Sequence, residues 1–349
     1  MRIERQRSCY CWLVFTVLSW LAAPILYGQP IPASELSGVL VEVTRGPIVE
    51  GRHYGRLVVV TPDGKIVRSV GDPQQLILPR SALKPFQAMA TIRLAMDRGF
   101  QLSTEEIAIM CASHEGHDEH LAVVGRLLKR IGCDESALFC GAVGGTRLRH
   151  NCSGKHSGML VLTQLLGADP NGYWEIDHPV QQRMREAIVE FTSYDQPLEW
   201  GIDGCGVPNY ALPLYNLALG YARLANPDAA PEPYRAAAVA IGKAMQAHPE
   251  LISSRGSFDA QLMESSAGKL IGKTGAEACY GLGLTDPDVG VAVKIEDGGS
   301  RGMPQVLLAV LDRLGAMNRG IEAAVGDQRT RPITNSRGDK VGEIRPAKW

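Results

Sequence analysis

The body of this chain lacks an excess of charge of either sign and has no basic run, no internal repeat and no low-complexity segment. Its 36 Lys and Arg residues and 37 Asp and Glu residues leave a formal net charge of −1. A chain without a basic patch has little attraction for phosphate backbones or acidic surfaces, so nucleic acid is excluded as a partner. With 45% hydrophobic and 21% charged residues, the composition is that of an ordinary globular protein with a substantial core.

Cysteine is sparse and irregularly spaced. Of the eight cysteines, two lie within the first eleven residues, and no pair has the C-x-x-C spacing of a zinc finger. A chain of 349 residues is also too long to need a disulfide framework. These features exclude a small disulfide-stapled domain and a classical zinc ribbon.

The N-terminus has the pattern of a targeting segment. Three arginines within the first seven residues precede an uncharged stretch from 8 to 34, whose apolar centre runs from 12 to 21. This is the order of a secretory signal, so residues 1–29 are predicted to be a signal peptide, with a membrane anchor as the alternative. The protein is therefore expected to be periplasmic or secreted, to be membrane-anchored with N-terminal membrane contact, or to be cytoplasmic if the start codon is over-extended.

The order of elements predicts an α+β fold. Strands are expected at both ends of the chain and helices between them, which indicates an antiparallel sheet contributed by both chain ends with flanking helices and an inserted helical region. The predicted strands are 38–44, 56–61, 65–70, 270–273, 289–295 and 340–344, and the main predicted helices are 86–96, 119–131, 159–166, 179–192, 212–224, 234–247 and 304–314.

Ser81 and Lys84 form the most informative local pattern. They are three residues apart, and Pro85 is tolerated only in the first turn of a helix, so Ser81 is expected at a helix start. A serine becomes a nucleophile when a neighbouring base takes its proton, and a buried lysine can be that base. The competing interpretation is a capping serine beside a solvated lysine.

Eight short motifs strengthen the catalytic interpretation because they occur together and in order. They are 45–50, 79–85, 111–114, 151–156, 203–205, 272–276, 293–298 and 342–346. As a set they resemble the Rhizobium-type L-asparaginase family (asparaginase II), over roughly Gly38 to Pro346. The resemblance implies one catalytic domain over 38–346, a fold like that of serine β-lactamases and glutaminases, and hydrolysis of L-asparagine to aspartate and ammonia.

The resemblance also implies a set of site residues. Its two Ser-Lys pairs map to Ser81 with Lys84 and to Ser113 with Lys273, and Asp203 would help to hold the substrate. We expect Ser81 to be the nucleophile and Lys84 its base, while Ser113 relays protons or orients the amide; the opposite assignment stays open. Arg80 is a candidate partner for the substrate α-carboxylate, with a structural ion pair as the alternative.

A zinc site is implied at three further residues, namely Cys152, Lys155 and Cys205. Thiolates suit zinc, whereas lysine is a rare ligand because it must first lose its proton. The two cysteines are alternatively disulfide-bonded or simply buried. We expect the zinc to be structural or affinity-tuning, because Ser-Lys chemistry needs no metal-activated water.

Other features leave room for different functions. Only ten residues, 141–150, separate Cys140 from Asn151, which is shorter than in relatives and is expected to widen the cleft, change substrate choice or weaken zinc binding. The alternatives are a β-lactamase-like or peptidase-like serine hydrolase and a non-catalytic zinc- or ligand-binding protein. Relatives also suggest a homodimer.

Two segments carry structural expectations. The segment 111–116 is small and polar, so it is not expected to form a buried element. Lys294, Glu296 and Asp297 lie at the end of a predicted strand and are expected to form a structural ion network, with a wall of the site as the alternative.

Overall fold

A computed structural model describes residues 36–349, which belong to one compact unit from Ala33 to Trp349. The targeting segment predicted over 1–29 lies outside the described residues. Within 36–349, no helix has the length and apolar character needed to cross a membrane.

The described residues form twelve strands and eleven helices. The strands are β1 (Gly38–Arg45), β2 (Ile48–Val60), β3 (Ile66–Val70), β4 (Leu76–Ile77), β5 (Trp200–Ile202), β6 (Pro208–Tyr210), β7 (Leu212–Pro213), β8 (Leu270–Gly275), β9 (Cys279–Thr285), β10 (Asp288–Ile295), β11 (Arg331–Thr334) and β12 (Lys340–Pro346). The helices are α1 (Lys84–Asp97), α2 (Thr104–Met110), α3 (Asp118–Arg130), α4 (Ser153–Leu166), α5 (Pro179–Thr192), α6 (Leu214–Ala225), α7 (Arg235–Ala247), α8 (Pro249–Ile252), α9 (Phe258–Ser265), α10 (Met303–Leu314) and α11 (Arg319–Val325).

One antiparallel sheet of eight strands organises the unit. Its order is β11-β12-β1-β2-β10-β9-β8, with β3 paired to β2 beside this path. Strands from the N-terminal end, β1 to β3, therefore lie between strands from the C-terminal end, and the helices α1 to α9 are inserted between β4 and β8. The predicted α+β fold, with a sheet contributed by both chain ends, is confirmed.

Helix α6 packs directly against the sheet because the strands carry glycines where the helix contacts them. A Cβ atom on Gly281 would overlap the ring of Tyr221, and one on Gly290 would overlap the carbonyl of Ala218. Residues with side chains at these positions would push the helix away from the strands. The close approach lets the Tyr221 hydroxyl donate a 2.7 Å hydrogen bond to the carbonyl of Ala82.

Some local expectations were incomplete or wrong. Strand β9 and helix α9 were not predicted, since β9 carries two glycines, which strands disfavour, and α9 has only two turns. The expectation for 111–116 was wrong, because Cys111 and Ala112 are fully buried and His114 is 1% exposed. The polar groups there tolerate burial because they have partners, such as the 2.9 Å contact between His114 Nε2 and Ser153 Oγ.

Candidate active site

Ser81 lies in a short turn that leads directly into α1. Residues Arg80–Leu83 form one turn of 3₁₀ helix, and Pro85 occupies the first turn of the α-helix that follows, as expected. The turn is pressed against β8, because a Cβ on Gly275 would overlap the Pro79 carbonyl and stand 3.2 Å from the Ala82 nitrogen. Ser81 is half-buried. Its hydroxyl is thus held at the start of a helix, where backbone N–H groups favour negative charge.

Lys84 is buried and hydrogen-bonds Ser113 rather than Ser81. Its side chain is 1% exposed, and Nζ donates to Ser113 Oγ at 3.0 Å, to the Asn151 carbonyl at 3.4 Å and to the Ala112 carbonyl. Three acceptors match the three N–H donors of an ammonium group. The structure therefore links the first expected Ser-Lys pair to the second through Lys84 and Ser113.

Lys273 is fully buried on β8. Its Nζ donates to the Thr274 carbonyl at 2.8 Å. Lys273 and Gly275 lie on the same face of the strand, because side chains two residues apart point to the same side. Lys273 therefore projects on the side of β8 that faces the Ser81 turn. Burial, followed by the charge of Lys84, lowers the pKa of Lys273 to about 7.

The charge of Lys84 acts on Lys273 because the two side chains are buried in the same part of the fold. A second positive charge is unfavourable in a poorly solvated environment, so burial and Lys84 together favour the neutral form of Lys273. One buried amine with a free lone pair is therefore present near neutral pH. An amine of this kind is a general base.

Arg80 and Asp203 form an ion pair beside Ser81. Both Nε and Nη2 of Arg80 donate to Asp203 Oδ1, at 2.9 and 2.7 Å. Burial alone would raise the pKa of Asp203, but Lys155 and Arg80 outweigh it and hold that pKa below its usual range. The other oxygen, Oδ2, has one longer contact of 3.4 Å from Asn209 Nδ2. Asn209 Oδ1 is itself buried and without a hydrogen-bond partner among residues 36–349.

A cluster of three side chains lies next to the turn that carries Asp203: Cys152, Lys155 and Cys205. Lys155 Nζ donates to Cys205 Sγ at 3.0 Å, and both cysteines are buried free thiols rather than a disulfide. A hydrogen bond from the Cys205 thiol holds the pKa of Cys152 well below its usual value. Burial opposes the charge of Lys155, but the two sulfurs outweigh it and raise its pKa.

The donor atoms of this cluster are of the types that bind a soft metal ion. Two sulfurs and one amine nitrogen are ligands that zinc accepts, and the Lys155 ammonium already shows that the thiols attract a cation. Among residues 36–349, no group of three or more His, Cys, Asp or Glu side chains could hold a metal ion. A zinc site in this region of the chain therefore depends on Lys155 as a ligand.

The comparison with family profiles gives one match that spans most of the chain. The sequence profile of the L-asparaginase II family matches residues 41–346. The chain belongs to the L-asparaginase II family. Membership makes the protein an amidohydrolase that acts on a small molecule. The chain has no significant match among curated proteins.

Solved structures resemble this L-asparaginase II family member more distantly. A β-lactamase from Mycobacterium bovis is 14% identical with a TM-score of 0.41, over 74% of this chain and 94% of that chain. A Bacillus glutaminase is 13% identical with a TM-score of 0.33, over 75% of this chain and 91% of that chain. A penicillin-binding protein homologue from Pyrococcus abyssi is 12% identical with a TM-score of 0.37, over 81% of this chain and 80% of that chain.

The ten-residue segment 141–150 forms a compact turn. Val143 and Thr146 make an isolated bridge, and Arg147–Arg149 form a 3₁₀ turn. Glu135 accepts a 2.9 Å hydrogen bond from the Arg147 amide, and the Arg147 side chain donates to the Leu138 carbonyl at 2.6 Å. The short loop is therefore fastened to the segment that precedes it.

The expected ion network at the end of β10 is confirmed for Glu296 and Asp297, whereas Lys294 donates to backbone carbonyls instead of joining an ion pair. Arg56 pairs with Glu296 at 2.7 Å, His53 pairs with Asp297 at 2.6 Å, and Lys294 donates to the Glu277 carbonyl at 2.6 Å. These contacts are within the fold and support the structural interpretation.

Sequence reasoning missed two polar residues of this site. Asn209 follows the Asp203 turn on β6, opposite Gly201. Asp259 lies on α9, and only the capping serine at 257 signalled that helix. An acidic residue two positions after a capping serine is common in helices, so nothing in the sequence distinguished Asp259.

Proposed function

We propose that this protein hydrolyses L-asparagine to L-aspartate and ammonia, with Ser81 as the nucleophile. The observation that carries the proposal is the Arg80–Asp203 ion pair, one residue from Ser81 in the chain. A free amino acid is a zwitterion, and an arginine next to a carboxylate presents the complementary pair of charges. A substrate without a free α-ammonium and α-carboxylate would gain nothing from this pair.

Polar atoms that the ion pair does not use are complementary to the α-carboxylate and the α-ammonium group of an amino acid. Nη1 of Arg80 takes no part in the contact with Asp203 and is a donor for the α-carboxylate. Asp203 Oδ2 and the unpartnered Asn209 Oδ1 are acceptors for the α-ammonium group. An unsatisfied buried oxygen is costly, so a bound ammonium group would relieve it.

The chemistry requires a nucleophile, a base and an acid. Ser81 Oγ attacks the carboxamide carbon as its proton passes to the buried lysine pair, and the N–H groups at the start of α1 stabilise the oxyanion. The C–N bond then breaks as a proton is delivered to the leaving ammonia through Ser113, which already contacts Lys84. Water attacks the aspartyl ester by the reverse proton path and releases aspartate.

We propose zinc as a structural or affinity-tuning ion held by Cys152, Lys155 and Cys205. When bound, it supplies a fixed positive charge and a rigid link between the start of α4 and the turn that carries Asp203. Cys205 is two residues from Asp203, the proposed partner of the substrate α-ammonium group. The position of Asp203 therefore depends on how this cluster is held. Export through residues 1–29 and assembly as a homodimer are further proposals, supported by the leader pattern and by the resemblance respectively.

The decisive experiment is ammonia release from L-asparagine by the full chain, with Ser81→Ala measured beside it and Ser136→Ala, an exposed serine, as the control. Activity that disappears only in Ser81→Ala would support both the reaction and the nucleophile. Hydrolysis of a chromogenic β-lactam without ammonia release would favour the β-lactamase-like or peptidase-like alternative. No hydrolysis of either substrate, with or without zinc, would leave a non-catalytic binding protein.

A further inference from the structure

Asp259 is a buried acid that neither the family motifs nor the reaction above uses. It lies in the first turn of α9 and is 7% exposed. Its Oδ2 accepts a 3.1 Å hydrogen bond from the backbone N–H of Thr274. Thr274 follows Lys273, and its carbonyl accepts the 2.8 Å hydrogen bond from Lys273 Nζ. One residue of β8 thus joins the carboxylate to the buried lysine.

The surrounding charges make this carboxylate the main acidic neighbour of Lys273. Four ionisable groups influence the Lys273 amine, in decreasing order of effect: Lys84 on α1, Asp259 on α9, Cys152 before α4 and Cys111 after α2. Lys84 and Asp259 act in opposite senses. Cys152, whose pKa is low, acts in the same sense as Asp259 but less strongly, and burial raises the pKa of Cys111 to about 12. Asp259 in turn faces Lys273 and the Tyr280 hydroxyl of β9.

The pairing also explains how an acid can be buried at this position. A buried carboxylate without a counter-charge is strongly unfavourable. Burial raises the pKa of Asp259, and Lys273 acts against that rise. The positive charge of Lys273 therefore lowers the cost of burying this carboxylate.

We infer that Asp259 is a positioning residue for Lys273, which it holds in place through Thr274 and whose basicity it sets through its negative charge. The consequence for catalysis rests on the proposed function, whereas the effect on Lys273 itself does not. Without the carboxylate, Lys273 would give up its proton more readily and would be a weaker base when neutral.

The test is Asp259→Asn in the full chain, because the amide keeps the shape and an acceptor for the Thr274 N–H but loses the charge. The Lys273 titration is followed by NMR of protein labelled at lysine Cε, with the signal assigned from Lys273→Met. We expect its midpoint, about 7 in the wild type, to fall by about one pH unit or more, the usual effect of one close opposite charge. The acid limb of kcat/KM for L-asparagine should move by the same amount, which a merely structural role would not produce.

Glu106→Gln is the matched control. Glu106 is 1% exposed but serves the capping box of α2 and pairs with Arg130, so its loss should leave the Lys273 titration unchanged. An unchanged Lys273 midpoint in Asp259→Asn would overturn the inference. If neither protein releases ammonia, the proposed function fails while the NMR result still decides the role of Asp259.

A second measurement covers the case in which Asp259→Asn does not fold. The coupling between two charges is reciprocal, so Lys273→Met should raise the Asp259 midpoint, followed by NMR of protein labelled at aspartate Cγ. An Asp259 midpoint equal to that of the wild type would count against the inference.

Discussion

Arg80 donates both of its hydrogen bonds to the same oxygen of Asp203, from Nε at 2.9 Å and from Nη2 at 2.7 Å. In a bidentate arrangement, two N–H groups of the arginine would each bind a different oxygen of the carboxylate, and both oxygens would be occupied. The one-sided contact leaves Asp203 Oδ2 with only the 3.4 Å contact from Asn209. The pair is thus held in place and still has capacity for a ligand.

Asp203→Asn should impair binding more than chemistry. The variant loses the charge proposed to hold the α-ammonium group and leaves Arg80 without its partner. We expect KM for L-asparagine to rise by about 10- to 100-fold, the equivalent of one charged hydrogen bond, with a smaller change in kcat. Steady-state kinetics beside Asp195→Asn, an exposed aspartate, would measure it. A large loss of kcat at unchanged KM would instead place Asp203 in the chemical step.

Activity should be lost on acidification through about pH 7. In the proposed mechanism the buried lysine pair accepts the Ser81 proton only when one amine is neutral. The pKa of Lys273 lies at about 7, so kcat/KM should fall about tenfold per pH unit below that value. Lys273→Arg should be inactive as well as Lys273→Met, because arginine does not deprotonate in proteins. Lys269→Met, which removes an exposed lysine next to the same strand, should keep the wild-type profile. A flat profile from pH 5 to 8 would contradict this assignment.

Zinc should bind once per chain and depend on all three proposed ligands. Cys152→Ser, Cys205→Ser and Lys155→Met should each reduce the zinc content of the purified protein, measured by elemental analysis. Binding must displace protons from the thiols and from Lys155, so zinc affinity should fall as the pH is lowered. Cys133→Ser changes a cysteine outside this cluster and should keep its zinc. Equal metal content in all four variants would show that zinc binds elsewhere or not at all.

Gly281→Ala should destabilise the fold, because the added methyl group would overlap Tyr221. Overpacking of this kind costs about 1–3 kcal/mol, measured as the free energy of unfolding in urea. Gly125→Ala is the matched control, since Gly125 lies inside α3 with nothing within 4 Å of an added Cβ. That change should stabilise the protein by about 0.5–1 kcal/mol. If both variants lost stability equally, close packing of α6 would not be the cause.

Tyr221→Phe separates positioning of the Ser81 turn from overall stability. The variant loses only the 2.7 Å hydrogen bond to the Ala82 carbonyl, which is worth about 1 kcal/mol. We expect a modest drop in unfolding free energy and a larger relative drop in kcat, measured on the same preparation. Unchanged kcat would mean that Ser81 is held adequately by β8 alone.

Much of the architecture was predictable because local signals agree with the final fold. The predicted strands that end and begin on either side of residues 61–65, the proline that starts α1 and the periodic helices all lie where the sequence indicates. Strand β9 was not predicted because it contains glycines, which strands disfavour. These glycines are needed for the packing of α6, a tertiary requirement that no local sequence pattern reveals. The burial of three lysines, Lys84, Lys155 and Lys273, is equally invisible in sequence, since lysine is usually exposed.

The sequence indicated which candidate residues lie near one another better than it indicated their contacts. The chain brings Arg80 to Asp203 and Lys155 to Cys205 across more than 45 residues, as expected for residues of one site. The spacing of Ser81 and Lys84 suggested a direct pair, whereas the Lys84 amine is bonded to Ser113. Spacing along a helix limits which residues can be in contact. The hydrogen-bond acceptors supplied by other segments determine which of the possible positions the amine of a flexible lysine side chain takes.

The backbone at Arg80 is in the left-handed region, with φ of 52°. Glycine would adopt this conformation with less strain, by about 1 kcal/mol, but glycine has no guanidinium group. If Arg80 binds the substrate as proposed, selection for a more stable chain and selection for ligand binding act in opposite directions at this position. Variants recovered from a screen for thermal stability alone would then be expected to drift away from arginine at residue 80, and the loss of affinity would be detected only when a substrate was offered.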